Sequence, residues 1–253
     1  MSLKTEKKKK ARIDCLLVEK GLVPTRQKAQ ALIMAGKVMC GSIVIDKPGK
    51  EVLEDAEITV KEPLPFVGRG GVKLSGFLDE TGVEVDGLVA MDIGASTGGF
   101  TDCLLKRGVK KVYAIDVGKG LIDVSLRNDP RVVVMEERNI RYLEPSEIGE
   151  VVDLAVIDVS FISLEKVLPK VREFVKDRGL ILALVKPQFE VGKGQVGKGG
   201  IVRDPVLHKA VMERISLFSE ALGFTVRSTG TSAILGAKGN KEFWVCLVNK
   251  RND

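Results

Sequence analysis

Asp92-Ile93-Gly94-Ala95-Ser96-Thr97-Gly98-Gly99-Phe100 closes an apolar stretch that starts at Leu88 and opens an amphipathic one, so it reads as the turn between a strand and a helix. Glycines at 94, 98 and 99 let the backbone pass close to a bound ligand at such a turn. The spacing is not the G-x-G-x-x-G dinucleotide fingerprint, and an acid at the head of the motif is out of keeping with a pyrophosphate site. A carboxylate there suits a ligand that carries a cationic amino acid and a sulfonium. The next apolar stretch, Lys111 to Asp116, ends in a second acid 24 residues after Asp92, where it can accept hydrogen bonds from ribose hydroxyls.

Outward from this turn, strands are expected at Leu88 to Ile93, Lys111 to Asp116, Val132 to Met135, Val152 to Asp158, Leu180 to Lys186, Phe224 to Thr229 and Phe243 to Val248. Helices are expected at Gly98 to Arg107, Ser163 to Lys176 and Pro205 to Leu222. Alternation of this kind means an α/β fold with a mostly parallel, seven-stranded sheet covered on both faces, and ligands that bind beyond the carboxyl ends of the strands. Strand, glycines, strand and acid in this order resemble the S-adenosylmethionine site of the Rossmann-like methyltransferases. The resemblance implies a cofactor held by Asp92, Gly94, Ser96, Thr97, Gly98, Gly99, Phe100 and Asp116. Asn139, just past the third strand, is expected to approach the adenine.

Several chemically active residues fall at strand ends. Lys186 follows an apolar strand directly, Asp158 follows another, Glu242 precedes the last strand, and Lys73 lies in a glycine-rich stretch, Gly68 to Leu74. A lysine that ends an apolar run can become a base through partial desolvation, whereas nearby carboxylates oppose that shift and orient the ammonium instead. Asp92 to Cys103, Asp158-Val-Ser-Phe-Ile-Ser163, Leu184 to Glu190, Gly197 to Pro205 and Gly239-Asn-Lys-Glu242-Phe are similar to the TlyA (hemolysin A) family, whose catalytic domain resembles the FtsJ-type 2'-O-methyltransferases. That resemblance implies a catalytic tetrad of Lys73, Asp158, Lys186 and Glu242 and a cytidine ribose in ribosomal RNA as the methyl acceptor. One departure is Glu137-Arg138-Asn139, where the family usually has Thr before the Asn.

The first 40 residues hold ten lysines and arginines against three acids, a net +7, while the whole chain carries +6. The basic partner surface therefore lies at the front. Residues 1–10 read as a solvated basic tail. From Arg12 the pattern is helix, helix and short strands: Leu16, Leu17 and Val18 begin an apolar face, Pro24-Thr25 stops and re-caps the chain, and Gly41-Ser42 joins the hairpin arms Val38 to Cys40 and Ile43 to Ile45. Arg12 to Arg26, Ala29 to Ile33, Gly36-Lys37-Val38 and the hairpin resemble the small α+β RNA-binding module of ribosomal protein S4. Such a module reads RNA backbone and shape, and Arg12, Thr25, Arg26, Lys28 and Lys37 are its candidate contacts. The expected organisation is tail 1–10, RNA-binding domain 11–62, linker 63–68 and methyltransferase domain 69–253.

Other classes are disfavoured. Four scattered cysteines lack zinc or disulfide spacing and read as buried reduced thiols, the single histidine, His208, reads as a surface or packing residue, and no metal site is expected. Gly192 to Gly199 contains a near Walker A pattern, but Gly199 stands where Ser or Thr would bind magnesium, and the segment reads as a flexible basic loop over the substrate opening. No apolar run approaches the ~20 residues of a membrane helix, and no signal-peptide-like stretch follows the lysines, so a cytoplasmic location is expected, with ribosomal RNA or ribosomal subunits as the partner, no membrane and no obligate protein partner. The alternative readings are a non-catalytic RNA-binding or ribosome-assembly factor on a methyltransferase-like scaffold, and a hemolysin-like protein.

Overall fold

A computed structural model describes residues 9–34, 36–60, 65–192 and 194–250. Residues 1–8 of the expected tail, and 63 and 64 of the expected linker, lie outside the described residues. The chain divides into two compact units, Met1–Pro63 and Leu64–Asp253.

In the first unit the elements run β1 (Lys10–Arg12), α1 (Ile13–Glu19), α2 (Arg26–Met34), β2 (Val38–Cys40), β3 (Ile43–Ile45), β4 (Glu51–Leu53) and β5 (Ile58–Val60). The hairpin of β2 and β3 closes over Gly41-Ser42, with β5 on the other side of β2. Thr25 Oγ1 accepts from the Lys28 amide and so caps α2. A small core of Ile13, Leu17, Ala29, Ile33, Val38 and Ile45 joins the helices to this sheet. Three of the strands, β1, β4 and β5, were not located in the sequence: β1 pairs antiparallel with β4, so Lys10, expected in the tail, opens a strand. A three-residue strand has too few residues to display an alternation.

The second unit contains α3 (Arg69–Thr81), β6 (Val89–Ile93), α4 (Gly99–Lys106), β7 (Lys111–Ile115), α5 (Val124–Arg127), β8 (Val132–Met135), α6 (Pro145–Ile148), β9 (Val152–Ile157), α7 (Leu168–Phe174), β10 (Val175–Val185), α8 (Pro187–Glu190), α9 (Pro205–Ala221), β11 (Phe224–Thr231) and β12 (Phe243–Asn249). The sheet order is β11-β12-β10-β9-β6-β7-β8. All neighbours from β10 to β8 are parallel, and only β12 runs antiparallel to the strands beside it. Strand residues alternate between the faces: Ala155 and Ile157 join the core under α7 and α9, while Leu154 and Val156 join the core under α3 and α4. Trp244 is fully buried there, with Phe77 stacked on it at 5.0 Å and Phe100 tilted at 5.5 Å. Each aromatic pair contributes about 0.5–1.5 kcal/mol beyond its buried area.

Three expectations change. Periodicity predicts one helix over 163–176, but a 3-10 turn (Leu164–Lys166) precedes α7, and Val175 already pairs with Val152 as the start of β10. Arg178 at φ 59 then turns the strand before its main ladder resumes at Leu180. Helix α3 was not expected, because Gly70, Gly71 and Gly76 dilute its apolar pattern. Of the cysteines, Cys103 and Cys246 are buried and Cys40 is partly so, but Cys15 is exposed. His208 packs in the interior, its Nε2 within 2.9 Å of the Val202 carbonyl. Among the described residues no helix is long and apolar enough to cross a membrane.

Asp92, the penultimate residue of β6, lies inside the core. Its Oδ2 accepts from the Thr101 amide at 2.9 Å and the Thr101 hydroxyl at 2.7 Å, so the carboxylate caps the amino end of α4. Burial pushes its pKa up to about 7, and the Thr101 bonds oppose that rise. An unfolded-chain aspartate titrates near ~4, so between ~4 and about 7 the folded protein holds a proton that the unfolded chain has released, and this group's contribution to stability falls as pH rises through that window. Asp92→Asn removes the slope. Thermal unfolding followed by circular dichroism should show the variant gaining on the parent as pH is raised from ~5 to ~8, and an equal fall in both proteins would refute the assignment.

Candidate active site

The glycine turn shapes a cavity of about 470 Å³ beyond the carboxyl ends of β6, β7 and β9. That size lies within the ~300–1,000 Å³ usual for small-molecule sites. Gly94, at φ 83, approaches the next strand so closely that a Cβ on it would stand 2.5 Å from the Asp158 carbonyl oxygen. Asp116 lines the cavity and is already oriented: Oδ2 accepts from the Ser96 amide at 2.8 Å and Oδ1 from the Gly118 amide at 2.7 Å. Each oxygen keeps a second lone pair for a ligand hydroxyl. Asn139 also lines the cavity while its Oδ1 accepts from the Arg141 amide and caps a short 3-10 helix, Ile140–Tyr142. Ile115, Leu121 and Ile140 supply apolar walls. An acid on the rim, a side-chain amide and apolar walls fit a nucleoside with vicinal hydroxyls.

A smaller cavity of about 200 Å³ shares Gly94, Ser96 and Asp158 with the first and adds Arg69, Thr97, Gly99 and Phe100. Two of the expected cofactor contacts line neither cavity. Asp92 is fully buried: its Oδ2 holds the amino end of α4, and its Oδ1 is buried without a partner. Gly98, at φ 91, makes room for Leu126 and Ile122.

The four strand-end residues assemble as two ion pairs. Lys73, on the first turns of α3, donates from Nζ to Glu242 Oε2 at 2.6 Å, and both side chains are buried. Lys186 Nζ lies 2.5 Å from Asp158 Oδ1 and donates to Ser160 Oγ at 3.0 Å. Sheet register explains the convergence: Val185 pairs with Phe243, which puts Lys186 and Glu242 one step beyond the same rung, and Ala183 pairs with Ile157, one residue before Asp158. Gly236 leaves the space that the Glu242 carboxylate fills, since a Cβ there would coincide with it. Among the described residues no cluster of His, Cys, Asp or Glu could hold a metal ion.

The segment from Asp158 to Ser163 carries features that residue types alone do not reveal. Phe161 adopts φ 63, is 90% exposed and tilts against Phe189 of α8 at 4.9 Å. Glu190, buried at the end of α8, accepts from Ser163 Oγ at 2.7 Å, the Leu164 amide at 2.8 Å and Arg214 of α9 at 3.2 Å. Burial raises its pKa while these donors oppose the rise. Glu190 thus ties the segment after β9 to the helix after β10. Its membership in the quoted Leu184 to Glu190 motif was the signal available in the sequence. The basic segment 192–199, expected to be flexible, leads into anchored residues: Gly197 bridges Ile201, and Asn240 joins the Gly200 carbonyl and the Val202 amide.

In the first unit, Arg12 and Arg26 both address the buried Asp14 carboxylate, and Gln30 does the same. Thr25 is occupied as the cap of α2. Lys28 is exposed and Lys37 half-buried.

Residues 66–249 match the FtsJ-like methyltransferase family, and residues 11–58 match the S4 domain. The 16S/23S rRNA (cytidine-2'-O)-methyltransferase TlyA of Mycobacterium tuberculosis is 45% identical over 241 residues, covering 94% of this chain and 90% of its own. Hemolysin A of Brachyspira hyodysenteriae is 38% identical over 233 residues, covering 92% of this chain and 97% of its own. A solved structure from Streptococcus thermophilus, described as a hemolysin, matches with a TM-score of 0.75 at 42% identity, over 97% of this chain and 90% of that one. With a glycine turn that opens on a nucleoside-sized cavity and an N-terminal unit of S4 type, this chain belongs to the FtsJ-like methyltransferase family.

Proposed function

We propose that this protein transfers a methyl group from S-adenosylmethionine to the ribose 2'-hydroxyl of a cytidine in ribosomal RNA. One observation carries the reading: the Asp158–Lys186 pair borders the nucleoside-sized cavity, since Asp158 lines it. The relative from Mycobacterium tuberculosis, named for this reaction, supports the choice of acceptor.

The bound cofactor supplies a methyl carbon on a sulfonium, an electrophile that needs only an oxygen in line with it. The chain supplies the rest. Asp116 receives the ribose hydroxyls of the cofactor, Asn139 faces its base, and Gly94, Ser96, Thr97, Gly99 and Phe100 pass alongside it. Lys186 would hold the attacking 2'-oxygen and, once its own ammonium proton has passed to Asp158, would take the hydroxyl proton, while the methyl–sulfur bond breaks as the methyl–oxygen bond forms. Lys73 and Glu242 form the second ion pair, with Glu242 one step beyond the sheet rung that carries Lys186. The basic side chains of residues 11–62, namely Arg12, Arg26, Lys28 and Lys37, grip the RNA backbone, residues 63–68 link the two parts, and residues 69–253 carry out the transfer.

Two substitutions separate chemistry from cofactor binding. Lys186→Ala should lower turnover by ~10²–10⁴-fold while S-adenosylmethionine still binds by calorimetry. The measurement is mass spectrometry of digested ribosomal RNA after incubation with each enzyme, and an unchanged rate would sink the assigned role. Asp116→Asn should do the reverse. It loses a charged acceptor worth ~1.5–3 kcal/mol, so cofactor affinity should fall by about tenfold or more, whereas unaltered affinity would remove Asp116 from the site.

A further inference from the structure

Asp14 is the one acidic side chain of the first unit that is completely sealed from solvent, among the described residues. It sits in the first turn of α1, beneath α2. Its Oδ1 accepts from Arg12 Nε at 3.0 Å, and its Oδ2 accepts from Arg12 Nη2 at 3.0 Å, Arg26 Nε at 2.8 Å and Gln30 Nε2 at 3.1 Å. The arginine side chains themselves remain 48% and 54% exposed. Each is therefore held at its base and open at its tip.

We propose that Asp14 is a positioning residue for RNA: it locks the guanidinium groups of Arg12 and Arg26 into a fixed fork whose outward N–H groups take a phosphodiester of the substrate backbone. The inference rests on the reading that this unit binds RNA through its basic side chains. Arg12 makes a bidentate pair through Nε and Nη2, which fixes the guanidinium plane and leaves Nη1 pointing away from the carboxylate. Arg26 is anchored through Nε, its two terminal nitrogens make no contact with the carboxylate, and its side chain is half-exposed. The backbone of the Lys47–Lys50 turn flanks the fork: the Ile13 amide donates to the Lys50 carbonyl, the Asp14 amide to that of Pro48, and a Cβ on Gly49 would stand 3.6 Å from the Arg12 guanidinium. That turn brings the exposed Lys47 and Lys50 to the same edge. The Arg12 and Gln30 bonds also hold the Asp14 carboxyl well below the usual carboxylate range, so it stays charged wherever the protein is folded near neutrality.

An anion beside an RNA surface has two opposite expected effects, and the sign of the response tells them apart. As a bystander charge, Asp14 repels phosphate, so neutralising it strengthens binding. As an anchor, it removes rotamer freedom that two arginines would otherwise lose on binding, so neutralising it weakens binding. The test uses the full chain, total ribosomal RNA as probe at fixed salt, and four proteins: parent, Asp14→Asn, Arg12→Lys and the Arg12→Ala/Arg26→Ala double variant. The proposal expects Asp14→Asn to bind about tenfold more weakly, with the RNA KM raised, kcat at saturating RNA kept and S-adenosylmethionine affinity untouched. Arg12→Lys, which keeps charge but not the bidentate fork, should follow it. Binding by Asp14→Asn as tight as the parent, or tighter, overturns the positioning role while the double variant still fails to bind. Should Asp14→Asn lose the fold of the first unit by circular dichroism, Arg12→Lys decides alone, and full affinity in that variant overturns the proposal. Undiminished binding by the double variant overturns both this inference and the arginine-based reading beneath it.

Discussion

Strand β12 runs against β10 and β11, and so delivers its amino end to the edge where β9 and β10 finish. Glu242 thereby lies one step beyond a ladder rung from Lys186, and α3 closes over the same edge with Lys73. A fully parallel sheet would have placed that end of β12 at the opposite edge, some 20 Å away for a seven-residue strand at ~3.3 Å per residue. The reversal is thus the constraint on which the assembly of acids and lysines depends. The charges sit in a demanding place. Lys73 and Glu242 are nearly sealed from water, and desolvating two such ions costs several kcal/mol each, which their mutual attraction offsets only in good geometry. Apolar residues of the same volume would hold α3 to β12 at least as well, so the pair is better explained by what its charges do than by stability.

Much of this was legible in the sequence because it is written in apolar runs. The seven strands of the large sheet stand close to where alternation and length place them, and the turn from Asp92 to Phe100 joins β6 to α4 as its glycines require. What periodicity could not express was how a residue is used once placed. Asp92 stands where the strand pattern places it, but its Oδ2 turns inward to Thr101, so an acid read as a ligand contact also serves as a helix cap supplied from a neighbouring strand. Helix α3 was hidden by the same small residues that let it pack, since Gly70 lies against Phe100 and Gly71 against Phe66. Local propensity and tertiary fit pulled in opposite directions there.

The candidate site was legible unevenly. Asp116 and Gly94 follow from topology alone, because acids and glycines after adjacent parallel strands must meet at the sheet edge. Lys73 and Glu242 are 169 residues apart and belong to a helix and a loop, so nothing in their spacing predicts a 2.6 Å contact. Only the family resemblance joined them. Glu190 and Asp14 escaped for a related reason: each is a carboxylate whose partners are set by tertiary contact, at sequence separations of 26 and 27 for Glu190 with Leu164 and Ser163 and of 12 and 16 for Asp14 with Arg26 and Gln30.

Gly236 offers a different kind of lesson. Its missing side chain is the volume in which the Glu242 carboxylate resides. Survey by motif would count a relative as competent whenever its two lysines, its aspartate and its glutamate are present, even if an alanine stood at the position of Gly236. Such a relative would keep all four charged side chains, yet its glutamate would have to shift to admit the methyl group. The absence of a methyl group at Gly236 then belongs to the description of the Lys73–Glu242 pair as much as the charges do, and a comparison of members gains by including an empty place.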